Sequence, residues 1–164
     1  MQTVKVINIS SNDLPKYETK GAAGLDVRAD FSRVTPENPI KVYGSGEFNF
    51  KTQTLRLDPG SRALIPTGLF TKIPEGYEIQ VRPRSGLSLK KALTCVNCVG
   101  TIDADYRNEI GVIMINLSGD SQYIETGERI AQFILNKVEQ IEWEEVSSLE
   151  KTERKGGFGS TGSK

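Results

Sequence analysis

Apolar positions along this chain fall into short runs, some alternating with polar residues and some apolar throughout. "TVKVINI", "RALIPTGLFTKI", "YEIQVRP", "TCVNCVGTI", "EIGVIMINL", "RIAQFIL" and "QIEWEEV" are rich in Val, Ile and aromatics and are bounded by Gly, Pro, Asn and Asp. Runs of this length fit strands and are too short for independent helices. The pattern predicts an all-β chain, a sandwich or barrel, with turns at "DPG" (58–60), "PEG" (74–76) and "SGD" (118–120).

Two stretches add to this pattern. Residues 36–56, "PENPIKVYGSGEFNFKTQTLR", read as an extra surface hairpin in which "IKV" and "EFNF" flank "YGSG". Its glycines can take the positive φ of a tight turn. Residues 85–93, "SGLSLKKAL", are the helical candidate, with Leu87, Leu89, Ala92 and Leu93 on one side and Ser85 at the start. Such a start points free N–H groups, a hydroxyl and Arg84 at one spot, which suits an anion.

Length and charge narrow the function. With 164 residues the chain holds one domain with a real core. No apolar run approaches membrane-spanning length, and "MQTVKVINIS" lacks the blocks of a secretory signal, so a cytoplasmic protein with no membrane partner is expected. Lys plus Arg and Asp plus Glu are both 21, which argues against a broad nucleic-acid surface. The local exception, "RPRSGLSLKK" (82–91), carries Arg82, Arg84, Lys90 and Lys91 without an acid. It is a solvated basic face or the grip on a small anion.

Histidine is absent, so any general base is expected to be a carboxylate. Cys95 and Cys98 form a lone C-x-x-C with no second pair to complete a zinc site, and a continuous strand there would point them to opposite faces. Two reduced thiols are expected. The densest polar stretch is "GTIDADYRNE", residues 100–109, read as a hairpin loop displaying Asp103, Asp105, Tyr106 and Arg107. It is either an ordinary polar turn or the edge of a pocket where Asp103 activates a water.

The C-terminal "RKGGFGSTGSK" is too poor in buriable surface to order on its own. Gly157 and Gly162 have phosphate-loop spacing, but Ser163 stands where the lysine belongs and no helix follows. A flap is the remaining reading, with Ser160 and Thr161 on phosphates and Phe158 stacked on something flat.

Five segments in order, "AGLDVRAD" (23–30), "RPRSGLSLK" (82–90), "NCVGTIDADYR" (97–107), "GERIAQ" (127–132) and "GGFGSTG" (156–162), resemble the motifs of the homotrimeric all-β dUTPases. The resemblance implies a jelly-roll domain over residues 1–150, a C-terminal arm over 151–164, and three sites at the interfaces of a homotrimer. It implies hydrolysis of dUTP to dUMP and pyrophosphate, with Asp103 as the base for attack on the α-phosphorus. Uracil would be read by main-chain groups near Asn97, Thr101, Ile102 and Gly111, and Tyr106 would lie against deoxyribose. Arg84, Ser85, Gly86 and Gln132 would hold phosphates. In the arm, Phe158 would stack on uracil while Arg154, Gly159, Ser160 and Thr161 close on the phosphates. Mg²⁺ is implied through phosphates and waters, with no direct protein ligand and with Asp26 as an indirect contributor.

The chain departs from the family pattern in having only Lys155 between Arg154 and Gly156, and in the length of its 36–56 insertion. Two rival readings share the fold: a dCTP deaminase, which lacks such an arm, and a regulatory protein using nucleotide as a switch.

Overall fold

The computed structural model describes residues 2–153 and Gly156. The strands are β1 (Lys5–Asn8), β2 (Leu25–Arg28), β3 (Lys41–Tyr43), β4 (Gly46–Asn49), β5 (Thr54–Leu57), β6 (Arg62–Pro66), β7 (Leu69–Lys72), β8 (Tyr77–Pro83), β9 (Leu93–Cys95), β10 (Gly100–Ile102), β11 (Gly111–Asn116), β12 (Gln122–Glu125) and β13 (Arg129–Lys137). One helix, α1 (Ser85–Lys91), accompanies them among the described residues. Two four-stranded sheets, β10-β8-β13-β2 and β3-β6-β11-β9, carry the architecture, joined by the sheet β12-β5-β4 and the pair β1-β7. All strand pairs are antiparallel.

Alternation explains why these segments form sheets. In β11, Val112, Met114 and Asn116 are buried while Gly111, Ile113 and Ile115 are half-buried. Its partner β6 buries Ala63 and Ile65 and exposes Arg62 and Leu64. The facing sheet supplies Val27, Ile79, Val81, Ala131 and Phe133 to the same core, with Leu55, Leu57 and Ile124 from the three-stranded sheet. Each large aliphatic side chain so buried contributes about 1.5–3 kcal/mol. The period of two then sends Asp26, Gln80, Arg82 and Gln132 to the opposite, outer face of their sheet.

Turns fall where expected: Gly60 and Gly76 take φ values of 72° and 77°, which only glycine adopts without strain. Other expectations are corrected. The 36–56 stretch is not a hairpin about "YGSG": β3 pairs with β6, and β4 pairs with β5, so the chain changes sheets between Tyr43 and Gly46. Ser61 holds this crossing, its Oγ accepting from Ser45 N at 2.8 Å.

The helix ends at Lys91, because Ala92 turns left-handed (φ 50°) and Leu93 enters β9. Only Leu87 of the expected apolar side is buried within it; Leu89 is 86% exposed. "TCVNCVGTI" breaks into β9, a turn and β10, which lie in different sheets. Likewise 100–109 is no hairpin: β10 pairs with β8, β11 pairs with β6 and β9, and the residues between them cross from one sheet to the other. "QIEWEEV" forms no strand, and Ile141 and Trp143 are 71% and 86% exposed. No helix among the described residues is long and apolar enough to cross a membrane.

Candidate active site

The residues singled out from the sequence gather in two places along β8. At one end, Asp103 and Thr101 line a cleft of about 920 Å³ with Glu75, Tyr77, Glu78, Ala104, Asp105, Val138 and Gln140. β10 delivers Asp103 there, since Ile102 pairs with Ile79 and Thr101 with Gln80. β10 is also the edge strand of its sheet, so one side of its main chain is left open. Asp103 is exposed, and no hydrogen bond or ion pair engages its carboxylate among the described residues. The turn that follows is closed by Tyr106 N donating to Asp103 O at 3.2 Å. The Tyr106 ring packs against the core and its hydroxyl donates to Glu109 O at 3.0 Å.

The second group stands at the opposite end of β8. Arg84 precedes α1 with extended backbone (φ −92°, ψ 128°), and its Nε donates to Asp26 Oδ1 at 3.0 Å. Arg129 Nη1 donates to Asp26 Oδ2 at 3.1 Å, so one carboxylate joins two guanidinium groups. Gln132 pairs across with Asp26 on one side and Arg82 on the other, and its Nε2 donates to Pro83 O at 3.0 Å. Gly24 makes this possible, because a Cβ there would lie 2.6 Å from Gln132 Oε1. Ser85 and Gly86 are exposed in the first turn of α1. Together Arg84, Ser85, Gly86 and Gln132 form a patch suited to an anion.

The two groups are far apart within one chain. Asp103 shares its cleft with Glu78, and Arg84 lies six positions beyond Glu78. At the rise of a strand that is about 20 Å.

The remaining residues divide between these places and others. Asn97 is exposed on the turn between β9 and β10, close over Gly100, where a Cβ would meet Asn97 Nδ2 at 3.1 Å. Ile102 packs partly buried against the core. Gly111 lines a separate cleft of about 240 Å³ with Leu64, Pro66 and Glu109. Arg154, Phe158, Gly159, Ser160 and Thr161 lie outside the described residues. Cys95 is buried and Cys98 exposed, both as free thiols; burial, with Cys98 as the lesser cause, pushes the Cys95 thiol up to about 11. No group of three or more Cys, Asp or Glu side chains is placed to hold a metal ion among the described residues.

Sequence reasoning missed Arg129, although it sits inside "GERIAQ", and it missed the Glu75–Glu78 lining, which looks like a bare turn until β10 pairs beside it.

Among solved structures, a mutant dUTPase of Staphylococcus bacteriophage 80alpha with dUpNHpp superposes with a TM-score of 0.73 and 25% identity, covering 99% of each chain. The fold is thus that of the all-β nucleotide hydrolases, with the two groups on β8 in the chain's third motif and in its first, second and fourth. The sequence model of the dUTPase family matches residues 50–162. Deoxyuridine 5'-triphosphate nucleotidohydrolase of Finegoldia magna is 49% identical over 160 residues, 97% of this chain and 98% of that protein. The Fusobacterium nucleatum protein of the same name is also 49% identical, over 97% of this chain and 96% of its own length. The chain belongs to the dUTPase family.

Proposed function

We propose that this chain hydrolyses dUTP to dUMP and pyrophosphate, with Asp103 as general base, in sites completed by neighbouring copies of itself. The observation that carries this reading is the separation along β8: a free carboxylate at one end and an anion grip about 20 Å away at the other. A triphosphate cannot span from one to the other as a reacting group. A second protomer presenting its Arg84 end to the Asp103 end of the first joins them. Exposed Ile141, Trp143, Val146 and Leu149 on the segment after β13 supply apolar surface for such an assembly. A homotrimer with three interfacial sites meets these requirements.

In this reading the open edge of β10 presents main-chain donors and acceptors to uracil, with Asn97, Thr101 and Ile102 around them. Cytosine, with the opposite pattern at the same positions, would leave buried groups unpaired. Tyr106 lies against deoxyribose. Asp103 removes a proton from the attacking water as oxygen bonds to the α-phosphorus, and the bond to the bridging oxygen breaks to release pyrophosphate. Arg84, Ser85, Gly86 and Gln132 hold the phosphates. Residues 151–164 act as an arm, with Phe158 on the uracil and Arg154, Gly159, Ser160 and Thr161 on the phosphates, excluding water from the site.

Magnesium fits this arrangement as an ion carried by the substrate. Both oxygens of Asp26 are already taken by Arg84 and Arg129, so Asp26 acts on the phosphate region by orienting these guanidinium groups. When bound, the ion would neutralise triphosphate charge.

The test is product analysis. Pyrophosphate is expected from dUTP, and ammonia from dCTP would contradict the assignment in favour of a deaminase. Asp103→Asn should lower turnover by about a hundredfold or more while leaving dUTP binding in place. Unchanged turnover would remove Asp103 from its role.

A further inference from the structure

The crossing from β10 to β11 is tied to the body of the domain through one charged relay that the reaction itself does not use. Glu109 Oε1 accepts from Gly68 N at 2.7 Å and from Arg33 Nη2 at 2.8 Å. Arg33 Nε in turn faces Asp30 Oδ2 at 3.6 Å; both atoms are buried and have no hydrogen-bond partner among the described residues. Asp30 is itself fixed: its N donates to Pro66 O at 2.9 Å, and its Oδ1 accepts from Ser11 and Ser32. Just beyond, Ile110 N donates to Leu69 O at 2.8 Å. Glu109 is thus clamped by its side chain and by the residue after it, and its own main-chain carbonyl receives the Tyr106 hydroxyl.

We propose that Arg33 and Glu109 are positioning residues that set the discrimination between deoxyribose and ribose, by holding the Tyr106 ring in place through the Glu109 carbonyl. The proposal rests on Tyr106 lying against the sugar. A ring can exclude one added hydroxyl oxygen only if it cannot retreat. Packing alone leaves a half-buried aromatic room to shift by a fraction of an ångström, and repulsion at van der Waals contact is steep enough for that fraction to matter. A hydroxyl anchored to a carbonyl that is itself anchored by an ion pair removes this freedom. Arg33 is well placed to do so from outside the cleft, since it touches neither Asp103 nor the Arg84 group.

The experiment is a double-mutant cycle read as the ratio of kcat/KM for dUTP to kcat/KM for UTP. Arg33→Ala should lower that ratio about three- to tenfold, the scale of the neutral hydroxyl–carbonyl bond it supports, with kcat for dUTP held within about twofold. Arg33→Lys should restore part of the loss. Tyr106→Phe, which removes the hydroxyl, should lower the ratio as well, and adding Arg33→Ala to it should change the ratio no further. Glu109→Gln, which keeps shape and loses charge, provides the same test with less risk to folding. If the fold-changes of Arg33→Ala and Tyr106→Phe multiply, or if Arg33→Ala lowers only the melting temperature, the relay is structural and the proposal fails while the Tyr106 assignment stands. A wild-type protein that takes UTP as readily as dUTP overturns both.

Discussion

Asp30 and Asp103 both come from the quoted motifs, and the fold treats them in opposite ways. Asp30 is fully buried, and its Oδ1 accepts from the N and Oγ of Ser11 at 3.2 and 3.0 Å and from those of Ser32 at 3.4 and 2.8 Å. Asp103 stands exposed at the mouth of a cleft with its carboxylate unengaged among the described residues. A carboxylate buried away from water, with Oδ1 taking four bonds and Oδ2 facing Arg33, is a structural tie. A carboxylate with open lone pairs beside a cleft can take a proton from water.

Substitutions at the two aspartates should separate activity from stability. Asp103→Asn, which should cost about a hundredfold or more in turnover, should shift unfolding free energy by no more than about 0.5 kcal/mol, as for an exposed residue. Asp30→Ala should do the reverse in kind, lowering stability by about 2–4 kcal/mol in denaturant titration because several buried donors lose their acceptor. The pH dependence sharpens this further. Burial works to raise the Asp30 carboxyl, and the bonds from Ser32 and Ser11 together outweigh it, holding the group below its ordinary 3.8. The unfolded chain then takes up that proton more readily than the folded one. Asp30 contributes its full stabilisation above the ordinary carboxylate value and loses it as pH falls through the lower, folded value. Wild type should therefore lose stability on acidification below about pH 4 more steeply than Asp30→Ala; parallel curves would show that folding does not lower the group's pKa. The smallest effect is expected at Leu89, where replacement by Ser should change stability by no more than about 0.5 kcal/mol, since a side chain 86% exposed buries little. A loss of several kcal/mol would mean that Leu89 is covered in the assembly.

Much of the fold was legible because alternation and turn chemistry are local. β1, β6, β7, β8 and β11 lie within runs expected to be strands, and β13 extends the run "RIAQFIL" to Lys137. What local pattern could not supply was partner choice. "IKV" and "EFNF" look like two arms of one hairpin, yet they join different sheets, because β6 and β5 offer each a neighbouring edge. "TCVNCVGTI" reads as one strand, yet it must break for Cys95 and Gly100 to reach separate sheets. "QIEWEEV" has strand periodicity yet forms no strand with any of the described residues, so periodicity alone does not pair it. At the site, Asp103, Arg84 and Gln132 could be named from motif order alone. Arg33, Glu109 and Arg129 could not, since their meaning comes from ion pairs between residues distant in sequence.

In the proposed site, the base and the phosphate grip come from different protomers. Asp103→Asn and Arg84→Ala, each inactive when alone, can be co-refolded in equal amounts and assayed for pyrophosphate release from dUTP. Random assembly puts an intact Asp103 and an intact Arg84 together in about one quarter of the sites, so activity should recover to about a quarter of wild type. Activity that stays at the sum of the two separate variants would contradict a shared site and return both residues to a single chain.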